Sequence, residues 1–224
     1  MKMKHQGIIN LVLGILFSTT FISCQSDSVI TDPRDGKKYR TIEINETTWM
    51  LDNLDYETLL SREPNDSIRK AHNLENISGR YYHFQELDSV CPSGWKLATY
   101  QNWIDYFLYF GIFKNIELKA STIDIEEDPF HRVVELKDTI NFFEDGNPLN
   151  LQAVARFEGE NVSSSPINPF GDYWVNDPEA EFNGLAHVHI INDWGFIPIH
   201  SHDHHMNPEK PDELRRFMCR CVKE

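Results

Sequence analysis

Behind Lys2 and Lys4, residues Ile8 to Phe17 are apolar except for Asn10 and Gly14, and the small polar run Ser18-Thr19-Thr20 follows them. Such a run is too short to span comfortably the roughly 30 Å hydrocarbon core of a bilayer. Its order of charge, apolar core and small residues is that of a signal peptide covering residues 1–23. This leader constrains everything after it. The rest of the chain has to fold in an oxidising compartment, where thiols pair and a disulfide can replace part of a core.

Phe21-Ile22-Ser23-Cys24 resembles the acylation site of a bacterial lipoprotein, which implies lipid on the thiol of Cys24. Residue 25 is glutamine rather than aspartate, and by analogy with bacterial sorting this implies the outer membrane, with the domain facing the periplasm or the cell surface. Gln25-Ser26-Asp27-Ser28 has nothing apolar to pack, so residues 24–30 are expected to be a flexible tether.

Removing the leader takes Lys2 and Lys4 from the 21 basic residues and leaves all 35 acidic ones, making the mature chain more negative than the formal −14 of the full sequence. This sign excludes nucleic acid as a partner, since a phosphate backbone requires a positive surface. It also argues against electrostatic adhesion to anionic lipid and leaves the acyl group as the membrane link. The remaining length, about 190 residues, suits one well-buried domain, and no internal repeat divides it.

Tyr39 to Ile44 and Thr47 to Leu51 read as a hairpin turning at Asn45-Glu46, with Arg40, Ile42 and Ile44 on one side of the first strand and Trp49 and Leu51 on one face of the second. Asp32-Pro33-Arg34-Asp35-Gly36 before it is turn chemistry. The polar stretch from Glu57 to Ile77 predicts a loop with a short helix around Asp66 to His72. Cys91-Pro92-Ser93-Gly94-Trp95 predicts a tight corner with Trp95 turned inward. Thr99 then caps a helix from Tyr100 to about Phe110, whose stripe Trp103, Phe107 and Phe110 is a core face, and Gly111 is expected to stop it.

Several separated segments, in order, resemble the Fibrobacter succinogenes major paralogous domain, a family carried on exported lipoproteins. They are Asp35 to Thr41, Thr48 to Leu54, Gly79-Arg80-Tyr81-Tyr82, Cys91 to Thr99 with Trp103, Gly171-Asp172-Tyr173-Trp174, and the closing Arg220-Cys221-Val222-Lys223. The resemblance covers residues 31–224. It implies an α+β domain of C-type-lectin-like or formylglycine-generating-enzyme-like build, with two helices packed on an irregular antiparallel sheet and the ends of the domain brought together. It implies no shared enzymatic activity. It also implies a bridge between Cys91 and Cys221. Cys219, two residues along an extended strand and on the same side, is the competing partner, because three thiols cannot all pair within one monomer.

His187 and His189 alternate on a strand and share a face, and His200 and His202 do the same if their segment is extended. Imidazoles are suitable ligands for zinc, so these four form a candidate metal set and the basis of an alternative reading as a metal-dependent hydrolase using the region from His187 to His205. Trp174-Val175-Asn176-Asp177 is similar to the Trp-Asn-Asp ligand motif of calcium-dependent lectins with one residue interposed, and Asn192-Asp193 is a second pair of oxygen ligands. Trp194, between Asp193 and Gly195, could offer a ring to a sugar face. The favoured expectation is a non-catalytic domain that binds a glycan or an envelope protein, with Trp174, Asn176, Asp177, Asn192, Asp193 and Trp194 as candidate binding residues and no obligatory cofactor. Asp27-Ser28-Val29 and Asp66-Ser67-Ile68 resemble a Bacteroidetes O-glycosylation signal, which implies Ser28 and Ser67 as modified sites in linker or loop.

Overall fold

A two-residue turn sets the first register. In the computed structural model, Asn45 and Glu46 have φ of 48° and 66°, so both central residues are left-handed, as the hairpin turn matching strand twist requires. Ile44 and Thr47 are thereby paired. The structure describes residues 28–72, 74–113, 122–124, 131–135, 143, 150–158, 161–163, 170–177, 185–191, 196–200 and 215–224. The leader, Cys24, Asn192, Asp193, Trp194 and His202 lie outside the described residues.

The first elements are β1 (Ser28–Thr31), β2 (Lys38–Ile44), β3 (Thr47–Met50), α1 (Asp66–Ala71), α2 (Leu87–Val90), β4 (Lys96–Leu97) and α3 (Tyr100–Phe113). Then come β5 (Thr122–Asp124), β6 (His131–Glu135), β7 (Arg156–Glu158), β8 (Asn161–Ser163) and β9 (Phe170–Asn176). Last are β10 (Leu185–Ile191), β11 (Phe196–His200), β12 (Arg215–Arg216) and β13 (Cys221–Lys223). The architecture is mixed α+β, with antiparallel strands and short helices. Among the described residues the strands form three sheets, ordered β1-β2-β3-β13-β4, β5-β6-β11-β10-β9 and β12-β7-β8. The terminal strand lies between the first hairpin and the strand after the corner, with Val222 opposite both Trp49 and Lys96.

β1 corrects the expected tether. Ser28, Val29 and Ile30 are paired with Thr41, Arg40 and Tyr39, and the Ser28 hydroxyl bonds that of Thr41. The other expected modification site, Ser67, is exposed on α1 rather than in a loop. That helix begins at Asn65, whose side chain accepts the Ile68 N–H at 2.9 Å, and it buries no residue. Arg69 organises the polar insert by donating to the carbonyls of Pro64, Leu74 and Ile77 and pairing with Glu63.

Gly79 joins this insert to the sheet at φ +110°, where an added Cβ would come within 2.6 Å of the Asn53 Cβ. Only glycine meets both conditions. At the corner, the Trp95 N–H bonds the Pro92 carbonyl at 2.9 Å. Thr99 then caps α3 reciprocally: its hydroxyl accepts the Asn102 N–H, and the Asn102 side chain accepts the Thr99 N–H at 2.8 Å. Contrary to expectation, α3 continues through Gly111 to Phe113. A glycine ends a helix by adopting a left-handed backbone, and Gly111 does not.

Two aromatic clusters form the core. One contains Ile42, Ile44, Trp49, Leu51, Trp103, Tyr106, Phe107, Tyr173 and Val175. The other contains Tyr39, Met50, Leu54, Tyr82, Trp174, Phe217, Cys219 and Cys221. Strand β9 separates them, because Tyr173 and Val175 face one cluster and Trp174 the other. Trp49 meets Trp103 edge to face, with ring centroids 5.3 Å apart, a preferred aromatic geometry.

His83 caps the 3-10 turn Phe84–Glu86 with Nδ1 accepting the Gln85 N–H, and Glu86 bonds back to the His83 N–H. Burial, followed by the charges of Arg216 and Arg62, pushes the imidazole down to about 4 from 6.5. The folded chain therefore holds it neutral while the unfolded chain protonates it near 6.5, so stability falls as pH drops through that window. In urea unfolding, the midpoint is expected to fall between pH 7 and 4.5, and His83→Gln to make that fall shallower.

Candidate functional site

The Pro92 corner, the end of α2 and the end of β9 converge beside a disulfide. Cys91 and Cys221 are bonded, with Cα atoms 5.8 Å apart, and Cys219 is free and buried. Burial raises the Cys219 thiol well above its ordinary value, so it is an unreactive core group. Arg34 locks the corner from the other side. Its guanidinium pairs with the buried Asp32 at 2.7 Å, donates to the carbonyls of Ser89, Val90 and Cys91, and lies 3.7 Å from the Tyr56 ring centroid.

Against this frame lies a pocket of about 180 Å³ lined by Leu87, Asp88, Cys91, Trp95, Lys96, Leu97 and Asn176. Trp95 is half-buried and packs on the second core cluster, while Asp88 and Lys96 are exposed. Lys96 is oriented by Glu224 at 2.8 Å. Asn176 reaches the pocket because its N–H bonds the Ala98 carbonyl at 2.9 Å, joining the end of β9 to the strand after the corner. The pocket thus combines one aromatic face with carboxylate, ammonium and amide groups, a set able to orient a polar ligand.

Of the candidate binding residues, Asn176 lines this pocket. Trp174 does not, and this corrects its expected place on an exposed face. It is 1% exposed, packs on Phe217, and donates its indole N–H to the Tyr82 carbonyl at 2.8 Å. Asp177 is buried as well. A strand covered on both faces has no outward side, so Trp174 is a core residue. Trp95, Asp88 and Lys96 replace it at the pocket. The corner motif marked Trp95, while nothing in the local sequence joined it to Asn176.

The histidines divide differently. His187 is buried and stacks on Phe217 with ring centroids 4.5 Å apart. His189 bonds through Nδ1 to Asp172, a fully buried carboxylate that also receives Arg156 at 3.2 Å. Arg156 and His189 both approach the Phe170 ring. Beside them, Gly171 permits the close approach of the segment at Gln152, since a Cβ there would lie 2.9 Å from the Gln152 carbonyl oxygen. His200 lies opposite His187 in the paired strands β10 and β11. Among the described residues, no group of three or more His, Cys, Asp or Glu side chains could hold a metal ion.

Asp172→Asn leaves Arg156 and His189 without their buried carboxylate. It is expected to cost about 3 kcal/mol in chemical unfolding, whereas Asp88→Asn at the pocket rim is expected to change stability by less than about 0.5 kcal/mol.

Comparison of the chain with known protein-family models, with curated proteins and with solved structures found no match.

Proposed function

We propose that this chain is a non-catalytic, exported binding domain of C-type-lectin-like or formylglycine-generating-enzyme-like build, anchored to the outer membrane through lipid on Cys24, and that it takes a glycan at the disulfide corner. The pocket beside Trp95 carries the reading. At about 180 Å³ it is smaller than the roughly 300–1,000 Å³ typical of sites for drug-sized ligands, and suits one sugar ring better than an extended chain. The half-buried Trp95 supplies an apolar face, and Asp88, Lys96 and Asn176 supply hydroxyl partners. The disulfide and the Arg34 bonds fix these groups before a ligand arrives, which lowers the ordering cost of binding.

The lectin-like build draws support from the closure of the domain, in which β13 lies between β3 and β4, and from α3 against the hairpin tryptophan. An envelope protein as ligand draws less support. The large exposed hydrophobics among the described residues are Val29 and Leu59, single residues rather than a patch. The hydrolase alternative requires the region from His187 to His205 to converge on a metal. Of its candidate ligands, His187 and His189 have described side chains, which pack on Phe217 and bond Asp172.

A glycan array, followed by calorimetry on the best hit, tests the pocket. Trp95→Ala is expected to weaken binding by at least about tenfold, as loss of an aromatic anchor does, while the Cys91–Cys221 bridge remains intact. Unchanged affinity, or capture of an envelope protein with no glycan bound, would overturn the glycan reading. For the anchor, Cys24→Ser is expected to move the protein from the detergent phase to the aqueous phase on partitioning. Equal membrane retention would remove the lipid from the account.

A further inference from the structure

The charges around the corner pocket do not cancel. Its lining holds one ammonium, Lys96, and one carboxylate, Asp88. The ammonium is already matched, because a Glu224 carboxylate oxygen lies 2.8 Å from Lys96 Nζ. Asp88 is exposed and, among the described residues, its side chain makes no hydrogen bond or ion pair. Arg34, the cation on the other side of the corner, is committed to Asp32 and to the carbonyls of Ser89, Val90 and Cys91. Lys96 set against Asp88 and Glu224 leaves the pocket with a net negative charge.

The aromatic wall is open in the same sense. Trp95 is half-buried against the second core cluster, and among the described residues no cation stands over its ring. The Arg34 guanidinium covers Tyr56 instead. A tryptophan face attracts a cation better than tyrosine or phenylalanine does, and more strongly once water is displaced. In a pocket of about 180 Å³, one bound ring meets the indole and the unpaired carboxylate together. An anionic ligand would find Lys96 already neutralised and Asp88 repelling it. The formal charge of −14 on the whole chain acts in the same direction at longer range, drawing cations and turning anions away.

Resting on the glycan reading of this pocket and narrowing it, we infer that the ligand is an amino sugar with a free, protonated amine, a hexosamine that is not N-acetylated. Asp88 accepts from the ammonium, Trp95 offers its ring, and Asn176 orients a hydroxyl. Lys96 is then a specificity residue of opposite sign. It offsets Glu224, and without it two carboxylates would act on the amine instead of one.

The test is a nuclear magnetic resonance titration of the full chain, followed at the Trp95 indole signal, at slightly acid pH and low salt, where a sugar amine is protonated and an exposed ion pair is least screened. The probes are the methyl glycosides of glucosamine and galactosamine, their N-acetylated forms, methyl glucuronide, and N-acetyl-lysine methylamide as an amine without a sugar ring. One of the two amino sugars is expected to bind at least about fivefold more tightly than its N-acetylated form and than the uronide, the size of an exposed ion pair joined to a cation–π contact. Asp88→Asn is expected to bring the amine to within about twofold of the N-acetylated form, and Lys96→Gln to raise amine affinity by at least about twofold. Both side chains are exposed, and the Cys91–Cys221 bridge with far-ultraviolet circular dichroism confirms folding of each variant. Equal or tighter binding of the N-acetylated sugar or the uronide, undiminished amine binding by Asp88→Asn, or no gain from Lys96→Gln overturns the inference and leaves the glycan reading standing. Binding of the lysine derivative as tightly as the amino sugar overturns it as well, since the charge would then be recognised without the sugar. No binding of any sugar overturns both.

Discussion

A buried guanidinium sets the terms for the rest of the domain. Arg220 is fully buried between Cys219 and Cys221, and it donates to the backbone carbonyls of Met50, Leu51 and Asn150 while lying 5.6 Å from the Tyr173 ring centroid. Removing a charge from water is costly unless its donors are satisfied. Those three carbonyls therefore have to converge. The hairpin, the segment at Asn150 and strand β9 are held to one geometry by this requirement, and the terminal segment that carries Arg220 cannot leave without exposing all of them. Burial works to raise the Asp52 carboxyl, but bonds from Arg40, with its charge and then that of Arg220, hold it below the usual range.

The same terminal segment does not pair as one continuous strand. Phe217 and Met218 make isolated bridges to Tyr82 and Tyr173, and the sheet pairing of β13 begins only at Cys221. Between them, the carbonyl of Cys219 accepts the Leu54 N–H and that of Arg220 accepts the Ala98 N–H. The backbone is satisfied by two different neighbours, so the segment works as a splice between sheets. Its side chains serve both clusters, with Phe217, Cys219 and Cys221 on one side and Met218 and Val222 on the other.

What could be read from the sequence was local. Asn45-Glu46, the Thr99 cap, the Pro92 corner and the short helix after Asn65 each depend on neighbouring residues, and each stands where the pattern placed it. The Cys91–Cys221 pairing followed from motif order rather than from any local rule. Long-range covering was not legible. Trp174 was read as a binding residue from a lectin-like motif, yet Phe217 from the far end of the chain closes over it. Asn176 became part of a pocket through a bond to Ala98. Gly111 misled for another reason: glycine lowers helix propensity by about 1 kcal/mol, which the rest of a 14-residue helix outweighs.

The edge strand β1 has a consequence for how such a domain stands on a membrane. With lipid on Cys24, only residues 25–27 separate the anchor from Ser28, the first residue paired into the sheet. Three residues at full extension span about 11 Å, less than two headgroup layers of about 5–8 Å each. Such a leash would be shorter than the body it holds. The domain would ride with the outer edge of its first sheet close to the lipid, where Val29 is 57% exposed. Its freedom would be mainly rotation about that edge, so the orientation of the corner pocket relative to the bilayer would be set by a strand rather than by a linker.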